Sequence, residues 1–481
     1  DYALALLLAL GGALPASAAD APAPAEEAPP LASSVPDKAD TALGKVTVTA
    51  RRREEDSQKV PTPITVLGGE TLEAQRISRV QDLQQVLPSV NVAYIHARQS
   101  SVAVRGIGNN PASDGLEGSA GIYLDNVYLG RPGMAVFDLL DIEQLELLRG
   151  PQGTLFGKNT TAGVLNISTR APTFTAERTV EVSGGQDGYF QGRGTVSGPL
   201  GETLAGRLSA YRTRDDGYIK NIHDDNYLNG GERQGARGQL LFEPNEDFSL
   251  RWIADYNEED SSNGSMVVYG AAERFWQRAA LVGASPLRDP QRRKVNINGR
   301  QHVSVHQGGS SLEANWNLAG GYRLTSISAY RYWHFTPAND EQLNVSAIND
   351  TGVEVHDRQF SQEIRLASPT GGAFDYVVGA YAFRQNLGNK TFTSYGPLAD
   401  LYLLGANLGA LNDTYSKANG KIETDSFALF AQGTWHLTER LDLTAGVRGT
   451  YEEKSAWVER YAPLGGAAVS GAAAAARNGR V

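Results

Sequence analysis

The sequence predicts an α+β domain followed by a transmembrane antiparallel β-barrel. Residues 44–172 combine short apolar strands with a helical pattern, whereas residues 173–481 alternate apolar and polar side chains with a period of two. In the second region short turns and long polar loops also alternate, as they do when turns and loops lie on opposite sides of a membrane. No stretch reaches the roughly 20 apolar residues of a spanning helix. A membrane location therefore requires a barrel.

The composition excludes several classes of protein. The 481 residues carry 54 acidic and 44 basic side chains, a net charge of -10, which argues against binding to a nucleic-acid backbone. There is no cysteine, so disulfides, zinc-thiolate sites, iron–sulfur clusters and thiol nucleophiles are excluded. Hydrophobic residues make up 41%, enough for a folded protein.

The first 43 residues predict export. An apolar run from Ala3 to Leu14 is followed by the small residues 15–19, which is typical of a secretory signal peptide over residues 1–19. A buried helix is the alternative interpretation. The run begins without Met or a basic segment, so we expect an incomplete signal. Residues 20–43 are rich in Pro and Ala and predict an extended periplasmic tether.

Residues 44–172 predict the α+β domain. Residues 60–67 read as a strand, and residues 69–87 have helical spacing of apolar side chains up to Pro88. Four further short strands, separated by Gly-rich turns, are predicted at residues 101–105, 121–124, 145–149 and 163–169.

Residues 173–481 predict barrel strands of about 10 to 14 residues, long enough for a tilted membrane crossing. A soluble all-β protein is the alternative. Tight turns are expected at 197–202, 243–247, 319–322, 368–374 and 437–441, and long loops at 215–232, 258–309, 335–355 and 388–421. The aromatic residues expected to form girdles at the membrane interfaces are Tyr211, Tyr256, Tyr330, Tyr332, Trp333, Tyr381 and Trp435.

Four ordered motifs carry a family resemblance. They are SVAVRGIG at 101–108, IYLDNVY at 122–128, DLLDIEQLELLRGPQGTLFG at 138–157 and GVLNISTR at 163–170. Together they resemble the plug of TonB-dependent outer-membrane receptors. The resemblance covers the plug fully and the barrel in pattern. It implies a plug at residues 44–172 inside a barrel of about 22 strands, a lumen too wide for side chains to fill. We count about eleven strands in residues 173–481, half of such a barrel.

The resemblance also implies roles for particular residues. The plug-motif residues are Arg105, Gly106, Asp125, Glu146, Arg149, Gly150, Pro151, Gly153 and Gly157. The four glycines permit positive φ and close backbone approach in packed turns. Arg105 and Arg149 are candidates to pair with barrel or plug carboxylates, and Glu143 and Glu146 are close to Arg149 in sequence. These residues are equally consistent with a purely structural role in the plug.

Residues 45–50 resemble the segment through which TonB, with its inner-membrane energising complex, acts on these receptors. The residues involved are Val46, Thr47, Val48, Thr49 and Ala50. A β-prone segment after a tether can add a strand to a partner's sheet edge. An ordinary first strand of the plug is the alternative.

Other motifs support no chemistry. Gly157-Lys158-Asn159 lacks the residues of a phosphate loop, and Gly106-Ile107-Gly108 lacks the third glycine of a dinucleotide site. His302 and His306 are spaced for a metal but have no accompanying carboxylate pattern, and the acidic run 258–260 reads as solvated loop charge. We therefore expect no catalytic residue, resident metal or cofactor.

The resemblance implies import of a scarce nutrient across the bacterial outer membrane, with a ferric siderophore as the default cargo. Cobalamin, haem and oligosaccharide remain alternatives, as do, in other classes, a passive porin, a barrel-borne enzyme and an adhesion module. Contacts to an anionic, ring-bearing ligand are expected from plug and loop residues. The predicted set is Asn109, Asn110, Asp114, Tyr269, Arg274, Phe275, Trp276 and Arg278. Loop packing is the alternative role for them.

Overall fold

The computed structural model describes residues 46–49, 51–53, 55–108, 114–135, 137–338, 347–464 and 479–480. The predicted signal peptide and tether, Ala50, Asn109 and Asn110 lie outside the described residues. No helix in the described part of the chain is long and apolar enough to cross a membrane.

The first part of the chain folds as a mixed α+β plug. Its central sheet has the strand order β3-β8-β9-β6-β7, in which β6 and β9 are parallel and the other pairs antiparallel. The elements are β1 (Thr47–Val48), β2 (Glu55–Asp56), β3 (Ile64–Gly68), α1 (Gly69–Ala74), β4 (Val90–Tyr94), β5 (Ser100–Val104), β6 (Ala120–Leu124), β7 (Val127–Tyr128), β8 (Ile142–Arg149), α2 (Gly153–Phe156) and β9 (Gly163–Thr169).

The helix predicted over residues 69–87 is two helices. α1 ends at Ala74, and a 3₁₀ helix covers Val80–Gln85. Arg76 between them has a φ of 57°, which an α-helix cannot accommodate. The Asp82 carboxylate then accepts hydrogen bonds from the backbone N–H groups of Ser78 and Arg79, so it caps the second helix. The apolar positions are buried as the spacing predicts, because each helix buries its own face.

The rest of the chain is dominated by one large antiparallel sheet, which we call the wall. Its strand order is β10-β11-β12-β15-β16-β18-β19-β20-β21-β22-β23-β24. The elements are β10 (Glu177–Gly184), β11 (Phe190–Pro199), β12 (Leu204–Asp215), β13 (Ile219–Asn221), β14 (Tyr227–Leu228), β15 (Gly231–Asn245), β16 (Phe248–Ser261), α3 (Glu273–Leu281), β17 (Lys294–Val295), β18 (His302–Leu318), β19 (Tyr322–Ala338), β20 (Ile348–Ala367), β21 (Phe374–Tyr395), α4 (Ala399–Leu403), β22 (Tyr415–Thr438), β23 (Leu441–Leu464) and β24 (Gly479–Arg480).

The two faces of the wall have opposite polarity. Side chains that face the plug are polar and buried, among them Arg207, Gln359 and Glu363, whereas side chains on the other face are apolar and exposed, among them Leu208 and Phe360. An apolar outer face and a polar inner face are the pattern of a membrane barrel. The predicted fold class, a plug with part of a β-barrel, is confirmed.

Several wall strands are longer than predicted. β22 and β23 each have 24 residues, and β16 and β18 extend into the loop predicted at 258–309. These extensions carry Glu, His, Asn and Gly, which read as loop in the sequence. They remain strand because each pairs with its neighbour, as Glu258 pairs with His306. The acidic run 258–260 therefore lies in a strand and not in a loop.

The girdle prediction is wrong for three aromatic residues. Tyr381 of β21 faces the plug, where it packs against the cluster that contains Phe156. Tyr211 and Trp333 are buried on the inner face of the wall, and Trp333 belongs to the main core cluster together with plug residues. Tyr256, Tyr330 and Trp435 are exposed on the outer face as expected. Neighbouring residues of a strand point to opposite faces, so Tyr332 and Trp333 cannot both face outward.

Candidate functional site

The segment Val46 to Thr49 is docked on the plug. Thr47 and Val48 pair with β2, and Val48 is fully buried in the cluster that contains Leu148 and Val164. Val46, by contrast, is 44% exposed. The segment is thus a first plug strand in which Val48 is buried and Val46 faces solvent.

Glu146 in β8 holds this segment. Its Oε1 accepts a 2.7 Å hydrogen bond from the backbone N–H of Thr49, and Asn166 and Gln144 donate to the same carboxylate at 3.2 and 2.8 Å. Glu146 is fully buried. Burial raises the pKa of Glu146, although the hydrogen bonds from Thr49 and Asn166 oppose the shift.

Three arginines follow the segment and join it to the wall. Arg51 and Arg53 both bind Glu55, at 2.6 and 2.9 Å. Burial raises the pKa of Glu55, but the two guanidinium groups outweigh burial and the pKa is lowered overall. Arg53 also lies 3.7 Å from Asp375 of β21. The chain just after the docked segment is therefore charge-paired to both plug and wall.

Arg52 is buried at the centre of this contact. Its guanidinium is 3.5 Å from the Glu363 carboxylate of β20 and lies over the rings of Phe156 and Tyr123, at 4.3 and 4.9 Å. Burial raises the pKa of Tyr123 to about 12. Any displacement of Arg52 separates a buried ion pair and a cation–π contact together.

The motif DLLDIE at 138–143 supplies the plug's other anchors. Asp138 accepts from Arg233 Nε at 3.0 Å and from Thr213 at 2.7 Å. Asp141 binds Arg207 in a bidentate pair at 2.5 and 2.6 Å. Both arginines belong to the wall. The sequence motif was recognised, but the partners of its aspartates were not identified.

In the described part of the chain, Arg105 and Arg149 do not form the ion pairs with carboxylates for which the sequence made them candidates. Arg149 donates to the hydroxyl groups of Ser89 at 3.0 Å and Thr65 at 2.5 Å, which tie β8 to its neighbours. Arg105 is exposed and has a φ of 53°. Glu146, close to Arg149 in sequence, faces Thr49 instead. Asp125, also in the motif set, accepts from Thr169 at 2.9 Å.

The four motif glycines divide by conformation. Gly106, Gly150 and Gly157 have φ of 77°, 85° and 81°, whereas Gly153 does not have positive φ and begins α2. Three of the four glycines therefore adopt the positive φ that glycine permits, whereas Gly153 starts a helix. Pro151, between these turns, is exposed.

Gly157→Ala is expected to lower the free energy of unfolding by about 1–2 kcal/mol, since its φ of 81° is unfavourable for a side chain. The added Cβ would also lie 2.8 Å from the guanidinium of Arg448. The measurement is the guanidinium-unfolding midpoint in detergent micelles. Gly449→Ala is the matched control, because nothing lies within 4 Å of a Cβ there. Equal midpoints for the two variants would contradict the prediction.

The described residues that were predicted to bind a ligand make different contacts in the structure. Asp114 is buried and paired with Arg131 at 2.8 Å and Arg98 at 3.2 Å, and it accepts from Asn389 of β21 at 3.0 Å. Its carboxylate therefore fixes the plug to the wall. This assignment differs from the ligand contact predicted for it.

The loop residues lie on or before α3. Phe275 and Trp276 pack edge to face, with ring centroids 5.0 Å apart, and Arg278 donates to the backbone oxygen of Tyr402 in α4 at 2.7 Å. Arg274 is exposed, and Tyr269 is 87% exposed. Arg278 thus serves loop packing, whereas Tyr269 and Arg274 are accessible.

The fold and these contacts define a plug packed against part of an antiparallel barrel, with the segment Val46 to Thr49 bound to the plug. Residues 56–164 match the family model described as TonB-dependent Receptor Plug Domain. Together with the relatives described below, this match confirms the resemblance seen in the sequence. The chain carries the plug and the barrel fold of the TonB-dependent outer-membrane receptors.

Related proteins cover the plug and part of the wall. The pesticin receptor of Yersinia enterocolitica is 26% identical over 405 residues, which are 81% of this chain and 53% of the relative. The vitamin B12 transporter BtuB of Photobacterium profundum is 30% identical over 174 residues, 36% of this chain and 28% of the relative. The chain spans about half the length of the pesticin receptor.

Solved structures share the fold. The ferric yersiniabactin uptake receptor of Yersinia pestis superimposes with a TM-score of 0.71 at 20% identity, over 84% of this chain and 59% of that one. The ferripyoverdine receptor of Pseudomonas aeruginosa gives a TM-score of 0.65 at 17% identity, over 87% of this chain and 56% of that one. The matching family model and the relatives are described as receptors or transporters.

Proposed function

We propose that the protein lies in the bacterial outer membrane and imports a ferric siderophore in a TonB-dependent manner. The observation that carries the proposal is the docked segment Val46 to Thr49. It begins at an exposed side chain, is held by Glu146, and leads directly into Arg52 and Arg53, which are paired to the wall. Outer-membrane lipid is the proposed partner of the wall's apolar outer face.

The coupling step follows from these contacts. TonB adds a strand alongside Val46 to Ala50, and main-chain hydrogen bonds supply its affinity. A pull on this segment acts first on the hydrogen bond from Thr49 to Glu146 and then on the buried pair of Arg52 with Glu363. Rearrangement of the plug opens a path through the barrel. The import requires binding and force but no chemical step, cofactor or resident metal.

The cargo assignment rests on relatives. Both structural neighbours are named for ferric siderophores. Under the proposal, the accessible residues Tyr269 and Arg274 contact the ligand. Asn109 and Asn110, which lie outside the described residues, are proposed as further contacts. Cobalamin is the second candidate, supported by the identity with the vitamin B12 transporter.

Uptake of labelled ferric siderophores at low iron tests the proposal. Cells carrying the full-length gene are compared with cells in which Val46 to Ala50 is deleted, and we expect uptake to be lost on deletion while surface binding persists. Thr47→Pro removes a backbone donor from an exposed position and should act like the deletion, whereas Thr47→Ala is the matched control. Uptake that survives the deletion would refute TonB dependence. Uptake of labelled cobalamin instead of iron would replace the cargo.

A further inference from the structure

Three of the seven histidines form one row across the outer face of the wall. His306 of β18 pairs directly with His334 of β19, and His334 pairs directly with His356 of β20. The ring centroids of His334 and His356 are 3.8 Å apart, and those of His306 and His334 are 6.3 Å apart. Directly paired side chains on one face of a sheet are close enough to share a ligand.

A carboxylate completes the cluster. Glu354 lies two residues before His356 on the same face of β20, and its Oε1 is 2.5 Å from His356 Nε2 and 3.6 Å from His334 Nε2. The ligating atoms of the three residues all lie within 4.8 Å of one another. Two imidazole nitrogens and one carboxylate oxygen therefore converge on one point.

The cluster lies beyond the apolar band of the wall. One row of outward-facing residues across these strands contains Tyr256 and Tyr332. The next outward-facing row, two residues further along each strand, contains His306, His334 and His356. The side chains of His334, His356 and Glu354 are 37%, 40% and 26% exposed. An ion from solution can reach them there.

We propose that His334, Glu354 and His356 bind a divalent transition-metal ion of the Zn²⁺ class, with water or His306 as the fourth ligand. Two imidazoles and one carboxylate are a ligand set that Zn²⁺ accepts in tetrahedral geometry, and Cu²⁺ and Ni²⁺ also favour imidazole. Because the ligands come from β19 and β20, the ion would bridge two wall strands. The three ligands are on the outer face of the wall and face away from the plug.

Neighbouring groups shape the site. Lys390 of β21 lies 3.3 Å from Glu354 Oε1 and competes with a cation for that oxygen. The His306 ring is 2.9 Å from the Tyr256 hydroxyl and 3.2 Å from that of Ser304, so its move toward the ion would break those contacts. Removal of the Lys390 charge should therefore tighten metal binding.

Titration with Co²⁺ tests the proposal. The full chain, free of any histidine tag, is purified in detergent micelles, and Co²⁺ binding is followed by visible d–d absorption and by Zn²⁺ competition. We expect one equivalent to bind with the strong absorption of a four-coordinate ion. His334→Asn, His356→Asn and Glu354→Gln should each weaken binding by about tenfold or more, since even outer-shell changes cost 10- to 100-fold. Lys390→Gln should strengthen it.

His302→Asn is the matched control, because His302 is on the same strand as His306 but is paired with Asp260 at 3.1 Å. It should bind Co²⁺ like the unchanged chain. Three independent ligand variants guard against misfolding of any one, and circular dichroism verifies the fold of each. The proposal is overturned if no stoichiometric Co²⁺ binds, if binding persists in all three ligand variants, or if it is lost in His302→Asn.

Discussion

Asp138→Ala should lower the free energy that holds the plug to the wall by about 3–5 kcal/mol. This is the cost of leaving one member of a buried ion pair without its partner. Asp138 is 1% exposed and accepts from Arg233 and Thr213 of the wall. In the variant Arg233 keeps Asp215, whose carboxylate is 3.6 Å away and partly solvated, and the charge of Glu259 on the neighbouring strand. Asp138→Asn retains an acceptor oxygen, so its stability should lie between that of Asp138→Ala and that of the unchanged chain.

Two measurements detect this change. The guanidinium midpoint for loss of Trp fluorescence reports plug release, because Trp333 packs beside Gly133 of the plug. Cell sensitivity to an antibiotic too bulky for porins reports an opened lumen. Glu181→Ala is the matched control, since the Arg76–Glu181 pair also joins plug to wall but is exposed and should contribute less than about 1 kcal/mol. If both variants have the same midpoint, Asp138 is not an anchor.

The wall was predictable because its signal is local. Leu441, Leu443, Val447 and Tyr451 alternate with polar residues, and all four are exposed on the outer face. A period of two requires only that successive side chains point to opposite faces of a strand. The four plug motifs were likewise contiguous in sequence, and the recognition of the family followed from them.

The site was not predictable to the same degree, because its contacts join distant parts of the chain. Thr49 and Glu146 are 97 residues apart, and Asp138 and Arg233 are 95 apart. Sequence neighbourhood suggested Arg149 as a partner of Glu146, but Arg149 binds hydroxyl groups. The spacing of His302 and His306 suggested that these two residues could share a metal. The register of the neighbouring strands instead places His306 beside His334. Register depends on pairing that sequence spacing does not specify.

Strand ends were mispredicted for a related reason. Residues near 258 and 306 look like loop because they are polar and lie beyond the apolar band. Pairing with a neighbouring strand satisfies their backbone groups regardless of side-chain polarity, so the strands continue. Hydropathy therefore marks where the membrane band ends and not where the strands end.

Glu146→Ala should release the coupling segment from the plug. The variant removes a buried acceptor of hydrogen bonds from Thr49, Asn166 and Gln144. We expect the free energy of docking of the segment to weaken by about 2–3 kcal/mol, because hydrogen bonds to charged groups contribute about that much. The undocked population then rises roughly 30- to 150-fold. The sequence contains no cysteine, so a single spin label at Val46→Cys reports the segment alone.

The label should be partly immobilised in the unchanged chain and largely mobile in Glu146→Ala. Glu143→Ala is the matched control, because Glu143 is on the same strand but exposed, and it should leave the label unchanged. Burial raises the pKa of Glu146, so the stability that this carboxyl group contributes to the folded plug is fully present below the ordinary glutamate pKa and is lost as pH rises through the raised value. Glu146→Gln, which cannot ionise, should lose this pH dependence yet keep an acceptor for Thr49. A segment that stays docked in Glu146→Ala would mean that β1 pairing and burial of Val48 hold it, and that coupling acts elsewhere.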